Sequence, residues 1–231
     1  MNTLLLRLQG PMQSWGTASR FDRRDTGLEP SKSGVIGLLC AALGRARTDA
    51  LDDLCALRMG VRVDRQGVLQ YDYQTAMRVM RADGTVPRPG DPKGTVQSRR
   101  YYLADAAFLV GLESGDWRFL RQLYEAVQNP RWPLYLGRKS YLPSPPVWIP
   151  DGIVDAALEE ALARYRPLVE PPPESYRYAL EERPGARVQR EVVSRVRRTD
   201  LPIAPLRERR FGERYVWIVT APAGEIPHVP F

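Results

Sequence analysis

An α+β fold close to the ferredoxin-like β-α-β-β-α-β unit is what this sequence predicts, on three observations. Two short apolar runs, 4–8 and 106–112, are each followed by a helical segment. Between them lie stretches that alternate apolar and polar residues, as half-buried strands do. After Pro150 the texture changes to shorter strand-like pieces, which predicts a small C-terminal antiparallel β part.

Residues 4–8, Leu-Leu-Leu-Arg-Leu, are short and densely apolar, which suits a central strand. The run Gly10-Pro11-Met12-Gln13-Ser14-Trp15-Gly16 breaks it, and a charged loop follows over 20–29. Residues 33–44 read as a helix with Ser33 as N-cap and Lys32 beside its start. Gly37, Ala41 and Ala42 keep that helix thin, so it can lie close on a sheet. Thr48 is the expected cap of a short helix bearing Leu51, Leu54, Cys55 and Leu57. Residues 59–64 alternate as a strand, Gln66-Gly67 is a turn, and 68–73 return.

Residues 82–95 hold Gly84, Pro87, Pro89, Gly90, Pro92 and Gly94 and cannot build a core, so they predict a projecting tip or mobile loop. With strand-like flanks at 73–80 and 95–103 they form a long arm. Asp116 is placed to cap a helix over 117–128, which Asn129-Pro130 stops. Residues 133–143 stand where the last strand of the unit is expected. Beyond Pro150 come a helix at 155–165, a linker at 167–173 and three strand candidates, 176–180, 186–196 and 214–221. Residues 187–198 and 207–214 are rich in arginine, and such runs are commonly solvated faces.

With 231 residues, 43% of them hydrophobic, the chain can build an ordinary core. A net charge of +7 points to a polyanion partner or to a basic enzyme. The cations are nearly all arginine, lysine occurring only at Lys32, Lys93 and Lys139. Arginine suits bidentate phosphate contact and base stacking, and a GC-rich or warm genome gives the same bias. Cys40 and Cys55 sit in apolar helical patterns without a CxxC partner and read as reduced core thiols of a cytoplasmic protein. No apolar run approaches the length of a membrane span, and the first residues do not read as a secretory signal.

Several chemistries lack their residues. The one histidine, His228, lies in a proline-rich tail, so no Ser-His-Asp or Cys-His set assembles around it. There is no HExxH, no Cys/His cluster, no EF-hand loop and no P-loop, so neither a metal nor a cofactor is expected. Metal-free RNA cleavage needs a general base and acid, for which Tyr101, Tyr102 and Lys139 are the available groups.

The positive features concern phosphate and bases. A helix start at Lys32, Ser33 and Gly34 offers backbone N–H groups and a partial positive charge. Arg138 and Lys139 after Gly137 can meet phosphate, and Tyr135 or Tyr141 can stack a base. Gln13 and Trp15 share the opening loop, though Trp15 fits the core equally well. Arg99, Arg100 and Tyr101 lie along the arm, where strand alternation lets only one of the two arginines face a given ligand.

The segments 10–16, 30–34, 37–44, 100–105 and 133–140, in that order, resemble the CasD family, the small RAMP-superfamily subunits of the type I-E CRISPR Cascade complex. The resemblance covers roughly residues 3–148. It implies a modified ferredoxin-like (RRM/RAMP-type) domain at 1–148 with a β-hairpin thumb at about 71–103, and a small C-terminal β-rich domain at 149–231. It implies a non-catalytic subunit that holds the 5′ handle of the CRISPR RNA and contacts the adjacent backbone subunit and the large subunit. Target DNA would be met through the complex, in the cytoplasm, without a membrane. Type I-C relatives cut RNA with a histidine and a lysine after the thumb. Residues 97–102 hold no histidine here, which favours the non-cutting branch over a metal-independent endoribonuclease.

Overall fold

The computed structural model describes residues 1–17, 22–91, 94–183 and 194–229. The run at 4–8 becomes β1 (Asn2–Gln9), followed by the two-residue strands β2 (Met12–Gln13) and β3 (Arg23–Arg24) and the helix α1 (Lys32–Leu43). A single-turn helix α2 (Asp52–Cys55) leads to β4 (Arg58–Arg65), and β5 (Val68–Ala76) and β6 (Val96–Ala104) form a hairpin. Next come β7 (Ala107–Ser114), α3 (Trp117–Gln128), β8 (Trp148–Val154) and α4 (Leu158–Arg164). The chain finishes with β9 (Ser175–Glu181), β10 (Ser194–Pro202) and β11 (Phe211–Pro222).

Seven strands make one antiparallel sheet in the order β10-β11-β9-β4-β7-β1-β8. Along β1, Leu4, Leu6 and Leu8 pack with α1 and α3, while Leu5 packs with Leu158 and Leu162 of α4. Helices therefore cover both faces, which is why β1 reads as an unbroken apolar run. A mixed α+β fold with mostly antiparallel sheets is expected and observed, the one parallel pair among the described strands being β3 with β6.

Other expectations need correcting. The C-terminal strands do not close a sheet of their own. β9 pairs with the free edge of β4, and β11 and β10 follow, so pairing satisfies an edge that would otherwise stand open. The expected boundary between 148 and 149 falls where β8 begins. Residues 133–143 are a loop, not the last strand; three prolines flank or follow it at Pro133, Pro143 and Pro145, and Gly137 has φ +89°. The α1 cap is Ser31 rather than Ser33, its side chain accepting from the Gly34 N–H at 3.3 Å. Thr48 caps nothing; α2 begins after Leu51 without a side-chain cap. Asp116 does cap α3, accepting from Phe119 N–H at 3.0 Å. The strand candidates 68–73 and 73–80 are one strand that ends at Ala76. The 186–193 part of the second C-terminal candidate and most of the first arginine run lie outside the described residues.

The β5–β6 hairpin leaves the main sheet at a joint. Gly67 has φ +71°, and a Cβ there would lie 2.5 Å from the Ala104 carbonyl oxygen. Only glycine permits that approach. β2, β3 and β5 all pair with β6, forming a second, four-stranded sheet. Beyond Ala76 the tip is internally bonded: Val79 N–H donates to Gly94 O at 3.0 Å and Arg81 pairs with Asp91 at 2.7 Å.

A buried ionic network fixes α1 to the C-terminal strands. Lys32 Nζ meets Glu181 at 2.7 Å and 2.9 Å, and the Lys32 backbone N–H donates to Asp200 Oδ2 at 2.7 Å. Arg214 grips both Asp200 oxygens at 2.7 Å and 2.9 Å. Burial works against the Asp200 carboxylate, but the Arg214 hydrogen bonds and charge hold its pKa below the usual range. Glu159 behaves alike, burial being outweighed by Arg58. Across the sheet, the fully buried Arg62 pairs with Asp64 at 2.8 Å and donates to the carbonyls of Leu162, Tyr165 and Arg166 at the end of α4.

Asp200→Ala strands the Arg214 charge and one end of α1, so it is expected to cost about 3–5 kcal/mol in denaturant unfolding. Asp200 and Glu159 titrate lower folded than unfolded, so their contribution is present above the unfolded carboxylate range, about pH 4, and is lost as pH falls through the folded values. Thermal unfolding should show a midpoint that drops below about pH 4 and a smaller drop in the Asp200→Asn variant.

Candidate nucleic-acid interface

The expected site residues separate into two groups. Gln13 and Trp15 are core. Gln13 Nε2 donates to Leu8 O and Ala106 O at 3.1 Å and 2.8 Å, and its Oε1 accepts from Trp15 Nε1 at 3.2 Å. Both side chains are fully buried, so Gln13 has no free atom to offer a ligand. Lys32 is 2% exposed and committed to Glu181, and burial lowers its pKa with Glu181 opposing. The first N–H of α1 is already taken by Asp200. The expected phosphate site at this helix start is therefore filled by the protein's own carboxylate, which the sequence hid because Asp200 lies 168 residues away.

The second group lines two clefts. One, of about 370 Å³, is bounded by Ser14, Gly16, Arg24, Asp25, Arg100, Gly137 and Arg138. The one carboxylate among its described lining residues, Asp25, binds the Thr17 N–H and hydroxyl at 3.1 Å and 2.8 Å. Arg138 is braced by the Tyr101 carbonyl at 3.0 Å and the Tyr141 hydroxyl at 2.8 Å, and its guanidinium stacks 5.4 Å from the Tyr141 ring. The other cleft, of about 640 Å³, lies along α1 and includes Ser33, Gly34, Tyr135 and Lys139. Both share Ser14, Gly16 and Gly137, so they meet there.

Gly137 creates that junction. Ser14 N–H donates to Leu136 O at 3.0 Å, and a Cβ on Gly137 would stand 1.7 Å from Ser14 O. A strand would have turned this loop away; the αL glycine folds it back onto the opening loop and presents Arg138 and Lys139 on either side.

Alternation along β6 divides the arm residues. Arg100 faces the smaller cleft, whereas Arg99 and Tyr101 lie on the opposite face. There Arg23 stacks on Tyr101 at 5.1 Å, Tyr101 meets Tyr71 at 5.8 Å and Arg99 lies 6.0 Å from Tyr71. Tyr102 instead packs against Tyr141 at 5.9 Å. Tyr101 and Tyr102 thus cannot act together on one phosphodiester.

Sequence reasoning missed Arg24, Arg45 and Arg47 in these clefts. Arg24 was only part of a charged loop, yet β3 pairs it with Arg100 on β6. Arg45 and Arg47 follow the αL glycine Gly44, a helix-end signal that places a cation beside the groove. Gly37, expected to pack on the sheet, faces the groove; a Cβ there would meet no atom within 4 Å.

A mostly antiparallel α+β body thus carries a projecting hairpin and a joined pair of cation-lined clefts. The family model for the CRISPR-associated protein (Cas_Cas5) matches residues 3–217, and the chain belongs to that family. It is 35% identical over 179 residues to the CRISPR system Cascade subunit CasD of Escherichia coli (strain K12), covering 71% of this chain and 77% of that protein. Among solved structures, a crystal structure of a Cas protein is 48% identical with TM-score 0.75, covering 99% of this chain and all of that one. A chain of a CRISPR RNA-guided surveillance complex is 30% identical with TM-score 0.73, covering 97% and 91%. The resemblance read from the motifs is borne out.

Gly137→Ala combines a positive φ with a clash against backbone. It should cost at least about 2 kcal/mol in thermal or denaturant unfolding, and a cost below half that value would contradict the geometry.

Proposed function

We propose that this chain is a non-catalytic, RNA-holding subunit of a Cascade surveillance complex and that its joined clefts receive the 5′ handle of the CRISPR RNA. The observation that carries this reading is the trough itself. Arg24, Arg100 and Arg138 line one end and Arg45, Arg47 and Lys139 the other, with one carboxylate, Asp25, among the described lining residues. Such a surface tracks a phosphate backbone, and Tyr135 at its wall offers a ring to a base. Lys139 and Gly137 keep their proposed contacts, Ser33 and Gly34 only border the larger cleft, and Arg99 and Tyr101 serve the far face of the arm. The relative named as a Cascade subunit and the similar chain in an RNA-guided complex support the reading.

In this reading residues 1–148 act as a modified ferredoxin-like RAMP body, and the β4–β7–β1–β8 part of the sheet supports it with the strand order of that fold. Residues 149–231 are the C-terminal β-rich part added to its edge. The hairpin is the thumb. Its Met77, Val79, Met80, Val86 and Val96 are exposed apolar side chains, suited to packing on the neighbouring backbone subunit, with the large subunit nearby. Target DNA is met through the complex in the cytoplasm.

Purified protein incubated with labelled CRISPR repeat RNA, with and without EDTA, tests this in one gel. Intact, shifted RNA is expected. The Arg24→Gln/Arg100→Gln double variant should bind more weakly, with a salt slope smaller by about 0.7 per lost phosphate contact. Specific cleavage that survives EDTA would establish the endoribonuclease instead. Absence of binding both alone and with the partner subunits would sink the RNA-holding role.

A further inference from the structure

The larger cleft has a feature that handle binding by cations does not require. Along its floor runs the outer face of α1, with Gly34, Gly37 and Ala41 exposing backbone. On one side Trp132 stands at the rim, 47% exposed; its N–H and that of Arg131 donate to the terminal carbonyls of α1, Ala41 O at 3.1 Å and Ala42 O at 2.9 Å. On the other side stand Leu206 of the loop between β10 and β11 and, at the start of β11, the 39% exposed Phe211. That loop is anchored, because Arg207 N–H donates to Arg47 O at 2.9 Å and the Cys55 thiol to Pro202 O at 3.2 Å.

Two aromatic rings thus flank a groove whose described lining contains three cations and no carboxylate. Arg45 is held by Asp53, but the Arg47 and Lys139 side chains make no ion pair among the described residues. Gly37 adds an independent argument. A glycine inside a helix is less stable than an alanine, and no protein atom needs the space its missing side chain leaves. A groove with aromatic walls, basic ends and open space above Gly37 on its floor fits a flat aromatic ligand joined to phosphates.

We propose that the groove between α1 and the β10–β11 loop seats unstacked bases of the bound RNA, stacked on Trp132 and Phe211 with their phosphates on Arg47 and Lys139. This rests on the RNA-holding reading and assigns the C-terminal strands a direct part in it. The sequence-tolerant nature of base–aromatic stacking makes Trp132 and Phe211 affinity residues rather than readers of base identity.

The test compares variants in the full chain assembled with partner Cascade subunits, using labelled CRISPR repeat RNA. Gly37→Leu fills the groove without meeting a protein atom at Cβ, and its melting temperature checks folding. Gly37→Leu, Trp132→Ala and Phe211→Ala are each expected to weaken RNA retention about 10-fold or more, and ultraviolet cross-linking should map bases to the peptides holding Trp132 and Phe211. If these three bind within 2-fold of the parent while Arg24→Gln/Arg100→Gln loses RNA, the groove proposal is overturned and the RNA-holding reading stands. If neither set changes RNA retention, both fall. If Gly37→Leu releases a partner subunit but the isolated chain binds RNA as before, the groove docks protein and the proposal is again overturned.

Discussion

The carboxylate of Asp200 at the first turn of α1 is the constraint on which the rest depends. It accepts the Lys32 N–H and both arms of Arg214, while Lys32 Nζ reaches Glu181 on β9. A lone charge in this position would be costly; paired in this way, the two basic and two acidic groups lock a helix to strands from the far end of the chain. The β10–β11 loop is thereby held beside α1, and the larger cleft exists because of that. The trough is bounded by parts of the protein that share no local sequence.

A second constraint acts at the other end of the trough. The backbone bond from Ser14 to Leu136 and the left-handed Gly137 bring two loops into direct contact between the clefts. Arg138 is then braced by carbonyl and hydroxyl oxygens, and it makes no ion pair among the described residues. Many other arginines, among them Arg62, Arg58, Arg177 and Arg214, are consumed by internal ion pairs. The basic composition alone therefore overstates the surface available to a polyanion, and position rather than number decides which cations serve.

Much of the body was legible. β1, β4, β7 and α3 carry strong periodic patterns, and burial on both faces explains the unbroken run of β1. The Asp116 cap was readable because its partner is three residues away. The Ser31 cap was misplaced by two residues, since three small polar residues compete there and local pattern cannot rank them. Residues 133–143 stand where the topology expects the last strand, and prolines with the left-handed Gly137 make a loop there instead. Of the cleft lining, Arg138, Lys139, Tyr135 and the junction glycine are readable from a compact local motif. Lys32 and Gln13 lie close to the trough in sequence but are claimed by buried partners, and Trp15 backs the larger cleft while almost fully buried.

The sequence by itself determined the class of fold, the family and the stretch where cations, glycine and tyrosine gather, since each is written in patterns within about a dozen residues. Only the tertiary structure decided which of those groups face solvent, that the C-terminal strands extend one sheet, and that Arg24, Arg47 and Phe211 stand beside the same trough. Those outcomes depend on pairings between segments up to 168 residues apart, such as Lys32 with Asp200, which no local pattern encodes.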